Sequence, residues 1–242
     1  MYPHRIRLRG PWTCEPLERD GSGSEPLPEP TQMALPCRWQ DGGLKDFSGK
    51  VRFRRRFGLP RNLDSHEHLW LTFGGADRKA DVWLNGHYLG GHEGDGAFEF
   101  EVTSILKERN EVIVEVESDR DGGLYGEVAL EIRCPAFLRN IDLDCSGKGP
   151  LLNFHVRGEV VGTSPAPLEL YLLLDEKQMA RQRVTASPEG SPFRIDLEGL
   201  QVHYARHGVE KTARLYKVHL DLVCGTMTWY MHDDVFEFHA EE

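Results

Sequence analysis

Short runs of Val, Ile, Leu, Phe, Tyr and Trp recur between turn signals along the chain, and the clearest of them alternate between apolar and polar positions. In NEVIVEVES, Val112, Val114 and Val116 fall on one side, with Glu111, Ile113, Glu115 and Glu117 on the other. That period of two marks a strand with one buried face. The same reading places strands at residues 5–8, 51–57, 68–73, 80–84, 98–102, 112–117 and 127–132. More follow at 151–161, 168–174, 193–197, 214–223 and 235–238. Many short strands with turns between them predict an all-β chain built as sandwiches.

The helical signal is short. Thr103 reads as an N-cap, residues 104–107 as a turn, and Asn110 as a residue suited to a left-handed exit. It predicts a connector rather than a layer. RDGSGSEPLPEPT (19–31) is Gly, Ser, Pro and acid, and reads as an exposed loop. Pro135 interrupts an apolar run, and because proline cannot donate to a central ladder the domain boundary is placed there. The expected organisation is a jelly-roll sandwich over 1–134 and a smaller immunoglobulin-like sandwich over 135–242, with no internal repeat between them.

Within VWLNGHYLG, Asn85 and Gly86 are the strongest hairpin signal in the chain, since both central residues of a type I′ turn need positive φ. Alternation then sends Val82 and Leu84 inward and leaves Asp81 and Trp83 on the opposite face. In VRFRRRF (51–57) it puts Arg52, Arg54 and Arg56 on one face. Arg55 shares the other with Val51, Phe53 and Phe57, and must find a carboxylate, snorkel outward or sit at a bulge.

The chain has 242 residues, of which 39% are hydrophobic, enough to bury cores. Twenty-nine Lys and Arg against 39 Asp and Glu leave a net charge of −10, which opposes a polyanion, so no nucleic-acid partner is expected and the arginine run reads as a solvated strand face. Five cysteines, odd in number and widely spread, read as free thiols. No apolar stretch has the length of a signal peptide core or a membrane span, so the expectation is a cytoplasmic protein with no membrane contact.

GPW, LPCRW, FSGKVRFRRRF, LTFGGADRKADVWLNGHYLGGHEGDGAFEFEVTSIL, RNEVIVEV and GGLYGEVALEI, in that order and spacing, closely resemble the N-terminal jelly-roll domain of glycoside hydrolase family two. The matching positions are Trp39, Gly49, Arg54, Arg55, Phe57, Val82, Asn85, Gly86, Gly90, His92, Gly94, Phe98, Thr103, Leu106 and Asn110. Residues 135–242 resemble the immunoglobulin-like domain that follows in that family, through RLYKVHLDLV and the last strand. The family includes β-galactosidases, β-glucuronidases and β-mannosidases. The loop from His92 to Phe98 is one residue shorter than the family pattern, Glu101 stands where aspartate is commoner, and Gly126 stands where catalytic members often carry arginine.

The resemblance implies a retaining glycosidase whose two carboxylates, about 5 Å apart, come from a C-terminal barrel. A barrel takes roughly 250 residues, and these 242 residues are already divided between two sandwiches. Catalytic residues are therefore not expected here, and Glu99 and Glu101 read as an exposed strand face. His66 and His68 suggest no third metal ligand, and His203 and His207 read as loop residues.

Two functions remain. In the first, the jelly roll binds carbohydrate, with Trp39, Trp83, Tyr88 or Tyr125 as stacking platforms and Asn85, His87, His92, Glu93 and Asp95 as hydrogen-bonding groups. In the second, the surface that would meet a barrel recruits a protein partner or a second copy as a homo-oligomer. A third reading is a fragment of a longer glycoside hydrolase. Jelly-roll binding modules often hold a structural calcium, for which Glu93, Asp95 and nearby carbonyls offer ligands. No other cofactor is expected.

Overall fold

The structure is a computed structural model and describes residues 2–21, 26–120, 122–148, 151–201 and 214–238. Residues 22–25 of the polar loop, together with His203 and His207, lie outside the described residues. The chain divides into two compact units, His4–Ile132 and Arg133–Glu242, and Met1–Pro3 group with the second. The division thus falls between Ile132 and Arg133, three residues before Pro135. Tyr2 joins the second unit through its carbonyl, which accepts from the Met231 amide at 2.9 Å.

The first unit comprises β1 (His4–Arg7), β2 (Trp12–Arg19), β3 (Thr31–Met33), β4 (Cys37–Arg38), β5 (Gly49–Gly58), β6 (His68–Phe73), β7 (Lys79–Leu84), β8 (His87–Glu93), β9 (Phe98–Glu101), β10 (Arg109–Ser118), β11 (Gly123–Leu124) and β12 (Val128–Arg133). Two antiparallel sheets, β3-β2-β5-β10-β7-β8 and β1-β12-β6-β9, make the jelly roll, with β4 and β11 as a small satellite pair. Alternation decides which residues fill it. Val51, Phe53, Ala80, Val82, Leu84, Val112, Val114 and Val116 are buried from the larger sheet, and Leu69, Leu71 and Phe73 from the smaller. β12 is buried along its whole length, which forces a charge inside: Glu131 is 1% exposed and accepts from Arg5 Nε at 2.7 Å.

Arg55 takes the second of its three routes. It is half-buried and reaches out of the apolar face to donate to the Pro11 carbonyl at 3.2 Å, and its partial burial pulls the guanidinium pKa down. Residues 103–105 form a turn, and no helix is found among the described residues. Thr103 does not cap it. Its hydroxyl accepts from the Leu69 amide at 2.9 Å and donates to Glu101 at 2.9 Å, cross-linking β6 to β9. Asn110 is likewise no left-handed exit: it lies inside β10, 2% exposed, with its carboxamide spanning the turn above it.

The second unit has β13 (Ala136–Lys148), β14 (Leu151–Gly162), β15 (Leu168–Leu174), β16 (Lys177–Val184), β17 (Ser191–Gln201), β18 (Arg214–Cys224) and β19 (Met227–Phe238). They form a three-stranded sheet β13-β14-β17 and a four-stranded sheet β16-β15-β18-β19, the seven-strand sandwich of an immunoglobulin-like fold. Leu152, Phe154, Val156 and Ile195 of one sheet and Leu168, Leu170, Leu172, Val218, Leu220 and Leu222 of the other are buried. Phe154 meets Phe236 edge-on at 5.8 Å. The outer edge strand β16, KQMARQRV, has no buried residue.

On β18, His219 sits between two carboxylates, with Nδ1 2.5 Å from Asp233 and Nε2 3.0 Å from Asp221. Burial pushes its pKa down, but the bond to Asp233 and the charges of Asp221 and Asp233 outweigh it and the net shift is upward. A pKa raised by folding contributes stability that is fully present below the unfolded value near 6.5 and disappears as pH rises through the folded value. We therefore expect the His219 contribution, about 1 kcal/mol, to be lost between pH 6 and pH 9, set against an opposite trend from His232, whose pKa burial pulls down. In His219→Gln, urea titrations across that range should give a profile without that loss.

Candidate functional site

The nine candidate residues do not form one site. Trp39 is fully buried, edge-on to Phe47 with ring centroids 5.6 Å apart, and so presents no stacking face. Its segment has no strand period from which that burial could be read. Asn85 adopts φ 53° and Gly86 φ 84°, the pair of positive values a type I′ turn requires. The Asn85 carboxamide is also tied into the turn. Nδ2 donates to Ile105 O at 3.0 Å and Asn110 Oδ1 at 2.8 Å, and Oδ1 accepts from Glu111 N at 3.0 Å.

His92 pairs with Ala80 on the inward row and stacks on Phe98 at 4.2 Å, which itself stacks on Phe73 at 4.7 Å. It is a packing residue, with Nε2 buried and unbonded among the described residues. Tyr125 is a clamp rather than a platform. Its hydroxyl donates to the Asp95 carbonyl at 2.7 Å, the Arg38 guanidinium covers the ring at 4.8 Å, and the ring lies tight against Gly75. Burial, then the charges of Asp95 and Asp77, push its pKa up against the opposing Arg38. The Asp95 and Glu93 side chains are exposed, as is His87. At about 3.3 Å per residue, His87 and Glu93 stand some 20 Å apart at the two ends of β8. Among the described residues no three His, Cys, Asp or Glu side chains converge to hold a metal ion.

What the hairpin does bring together is Trp83 and Tyr88. The two-residue turn pairs them directly across β7 and β8, and their rings tilt toward each other at 50° with centroids 5.3 Å apart. Tyr88 is 57% exposed. Its hydroxyl donates to Asp81 at 2.8 Å, and that bond, then burial, pushes the phenol pKa up. Asp81 was not among the expected site residues, although counting outward from Asn85–Gly86 places it on the outward row two residues before Trp83.

This pair lies on the outer face of the six-stranded sheet, where register aligns Trp83, Ile113, Arg54 and Thr13 across four strands. The row two residues toward the sheet's far end is a salt-bridge network. Glu115 meets Lys50 at 2.5 Å and Arg52 at 2.7 Å, and Arg52 also meets Glu15 at 3.7 Å. Burial works to raise the Glu115 pKa, but hydrogen bonds from Lys50 and Arg52 hold it below the usual carboxylate range. All five cysteines are free, and burial drives the Cys14 thiol up to about 12, far from reactive. No helix among the described residues is long and apolar enough to cross a membrane.

The fold class is a tandem pair of β-sandwich domains, a jelly roll with an aromatic pair on one sheet face followed in the chain by an immunoglobulin-like sandwich. Residues 46–139 match the family described as glycosyl hydrolase 2 galactose-binding domain-like. A β-glucuronidase of Bacteroides fragilis is 29% identical over 140 residues, covering 48% of this chain and 20% of the relative.

Solved structures agree in fold. A Bacteroides uniformis β-glucuronidase superposes with TM-score 0.75 at 20% identity over 98% of this chain. A Bifidobacterium dentium β-glucuronidase, complexed with coumarin-3-O-glucuronide, superposes with TM-score 0.70 at 21% identity over 97%. This chain spans only 32% and 48% of those chains, and one fifth of the curated relative.

Proposed function

We propose that this chain performs the non-catalytic part of a glycoside hydrolase's work, presenting a carbohydrate-binding face on its first sandwich. The observation that carries the reading is the Trp83–Tyr88 pair: two rings 5.3 Å apart on a solvent-facing sheet, one of them 57% exposed, beside the Asp81 carboxylate. Aromatic faces pack on the C–H face of a sugar ring, while a carboxylate at the rim accepts from hydroxyls. The match of residues 46–139 to a galactose-binding-like family supports it, as do relatives that act on glycosides.

Titration with a panel of neutral and charged oligosaccharides, followed by backbone amide shifts, is the test. Saturable shifts should centre on Trp83 and Tyr88. Tyr88→Ala and Trp83→Ala should each weaken binding about tenfold, roughly 1.4 kcal/mol, with the melting temperature nearly unchanged for Tyr88→Ala. Absence of saturable binding at millimolar ligand sinks the reading.

A further inference from the structure

Cations on the outer face of the six-stranded sheet divide into two groups. Toward one end, Lys50 and Arg52 are held by Glu115 and Glu15. Toward the Asn85–Gly86 turn the pairing thins out. Arg54, in the same cross-strand row as Trp83, has no carboxylate partner among the described residues, and neither do Arg61 and Arg109. Only Arg56 in that half is paired, to Glu111 at 3.0 Å.

Arg56, Arg61 and Arg109 line a cleft of about 840 Å³ beside the turn, together with Leu59, Pro60 and the carboxylates of Glu108 and Glu111. Arg56 and Glu111 lie one outward row beyond Trp83 and Ile113, and alternate residues on a strand are about 7 Å apart, so the aromatic pair and the cleft form one continuous strip.

In a chain with 39 acids and 29 Lys and Arg, this cleft reverses the balance: three guanidinium groups face the two carboxylates of Glu108 and Glu111, and Arg61 and Arg109 have no carboxylate partner among the described residues. Like charges so placed repel each other, and the repulsion is relieved by a bound anion. Guanidinium forks match the two-oxygen edge of a carboxylate or sulfate, and Leu59 and Pro60 supply apolar wall between them. The floor is fixed, because the Asn85 and Asn110 carboxamides beneath it are tied to each other and to the backbone.

We infer that the ligand of this face is an acid-bearing saccharide, one ring stacked on Trp83 and Tyr88 and a carboxylate or sulfate group held in the cleft by Arg61 and Arg109, with Arg54 in the Trp83 row beside it. The inference rests on the aromatic platform proposed above and adds the chemical class of its ligand. It also gives the arginine run at 51–57 a role beyond a solvated strand face.

The test uses the full chain and three probes of similar length: an oligogalacturonate, a heparin-derived sulfated oligosaccharide and a neutral cello-oligosaccharide, with inorganic sulfate as a fourth. Amide shifts at Arg109, Glu111 and Trp83 report on the strip. At least one anionic probe should bind about tenfold more tightly than the neutral one, and lose that advantage as salt is raised. Arg61→Ala combined with Arg109→Ala should remove the advantage without touching neutral binding. Glu108→Gln, which removes a negative charge from the cleft, should strengthen anionic binding several-fold and guards against a folding artefact.

Preference for carboxylate over sulfate, or the reverse, identifies the acid group and supports the inference either way. Equal binding of anionic and neutral probes, or an unaffected double variant, overturns it while leaving the platform reading intact. Inorganic sulfate binding as well as the oligosaccharides overturns it as an adventitious ion only. Silence from all four probes removes both readings.

Discussion

Asn110→Ala is expected to lower the unfolding free energy of the first unit by about 3 kcal/mol. The substitution leaves three polar groups in a part-buried site without their partner. Oδ1 accepts from Asn85 Nδ2 and from Lys107 N, both at 2.8 Å, and Nδ2 donates to Lys107 O at 2.7 Å. Each unsatisfied group costs about 1–3 kcal/mol, and partial solvent access places these near the lower figure. Asn85→Gly gives the contrast. It keeps the positive φ the turn needs and removes only the other end of the network, so its cost should be about half as large. Urea denaturation of both variants decides the matter, and a loss under about 1 kcal/mol for Asn110→Ala would mean that water replaces the carboxamide.

Gly126→Ala should be at least as damaging, for a steric reason. A Cβ at residue 126 would lie 2.1 Å from the carbonyl carbon of Gly74 and 2.1 Å from the nitrogen of Gly75. These are backbone atoms, so no side-chain rotation relieves the clash. The two segments are also bonded together, Gly126 N to Gly75 O at 3.1 Å and Gly74 N to Glu127 O at 2.8 Å, so separating them breaks the pairing. Overpacking of this kind costs about 3 kcal/mol or more. Gly96→Ala is the control: nothing lies within 4 Å of its Cβ, and it should change stability by less than about 1 kcal/mol. Comparable thermal unfolding of the two variants would refute the argument.

Legibility in the sequence followed the strength of the local period. β6 and β15 run over the residues that alternation assigned to them, and the inward Val82, Leu84, Val112, Val114 and Val116 are all fully buried. The hairpin was readable because only a few residue types accept positive φ at both turn positions. β8, HYLGGHE, was not readable, since its glycines and histidines compose like a loop and its strand character comes from pairing with β7. β2 was hidden by Pro16, which sits where its register with β5 shifts.

The site divided in the same way. Trp83 could be placed outward by counting from Asn85, but nothing local distinguishes it from Trp39, whose burial is decided by distant residues such as Phe47 and Gly122. Thr103 and Asn110 carry side chains that cap helices in one context and cross-link strands in another, and only the tertiary partners Leu69 and Asn85 select between them. Phe98 and Phe100, core candidates by alternation, are half-buried because β9 closes the edge of its sheet.

β16 ends the four-stranded sheet of the second unit with an open row of backbone groups, yet three of its eight residues are the cations Lys177, Arg181 and Arg183. Two copies approaching edge to edge would bring these cations together before any ladder could form. That places the strand among the safeguards against fibrous aggregation. Replacing its lysine and arginines with threonine to improve β-propensity would therefore be a poor way to stabilise this protein.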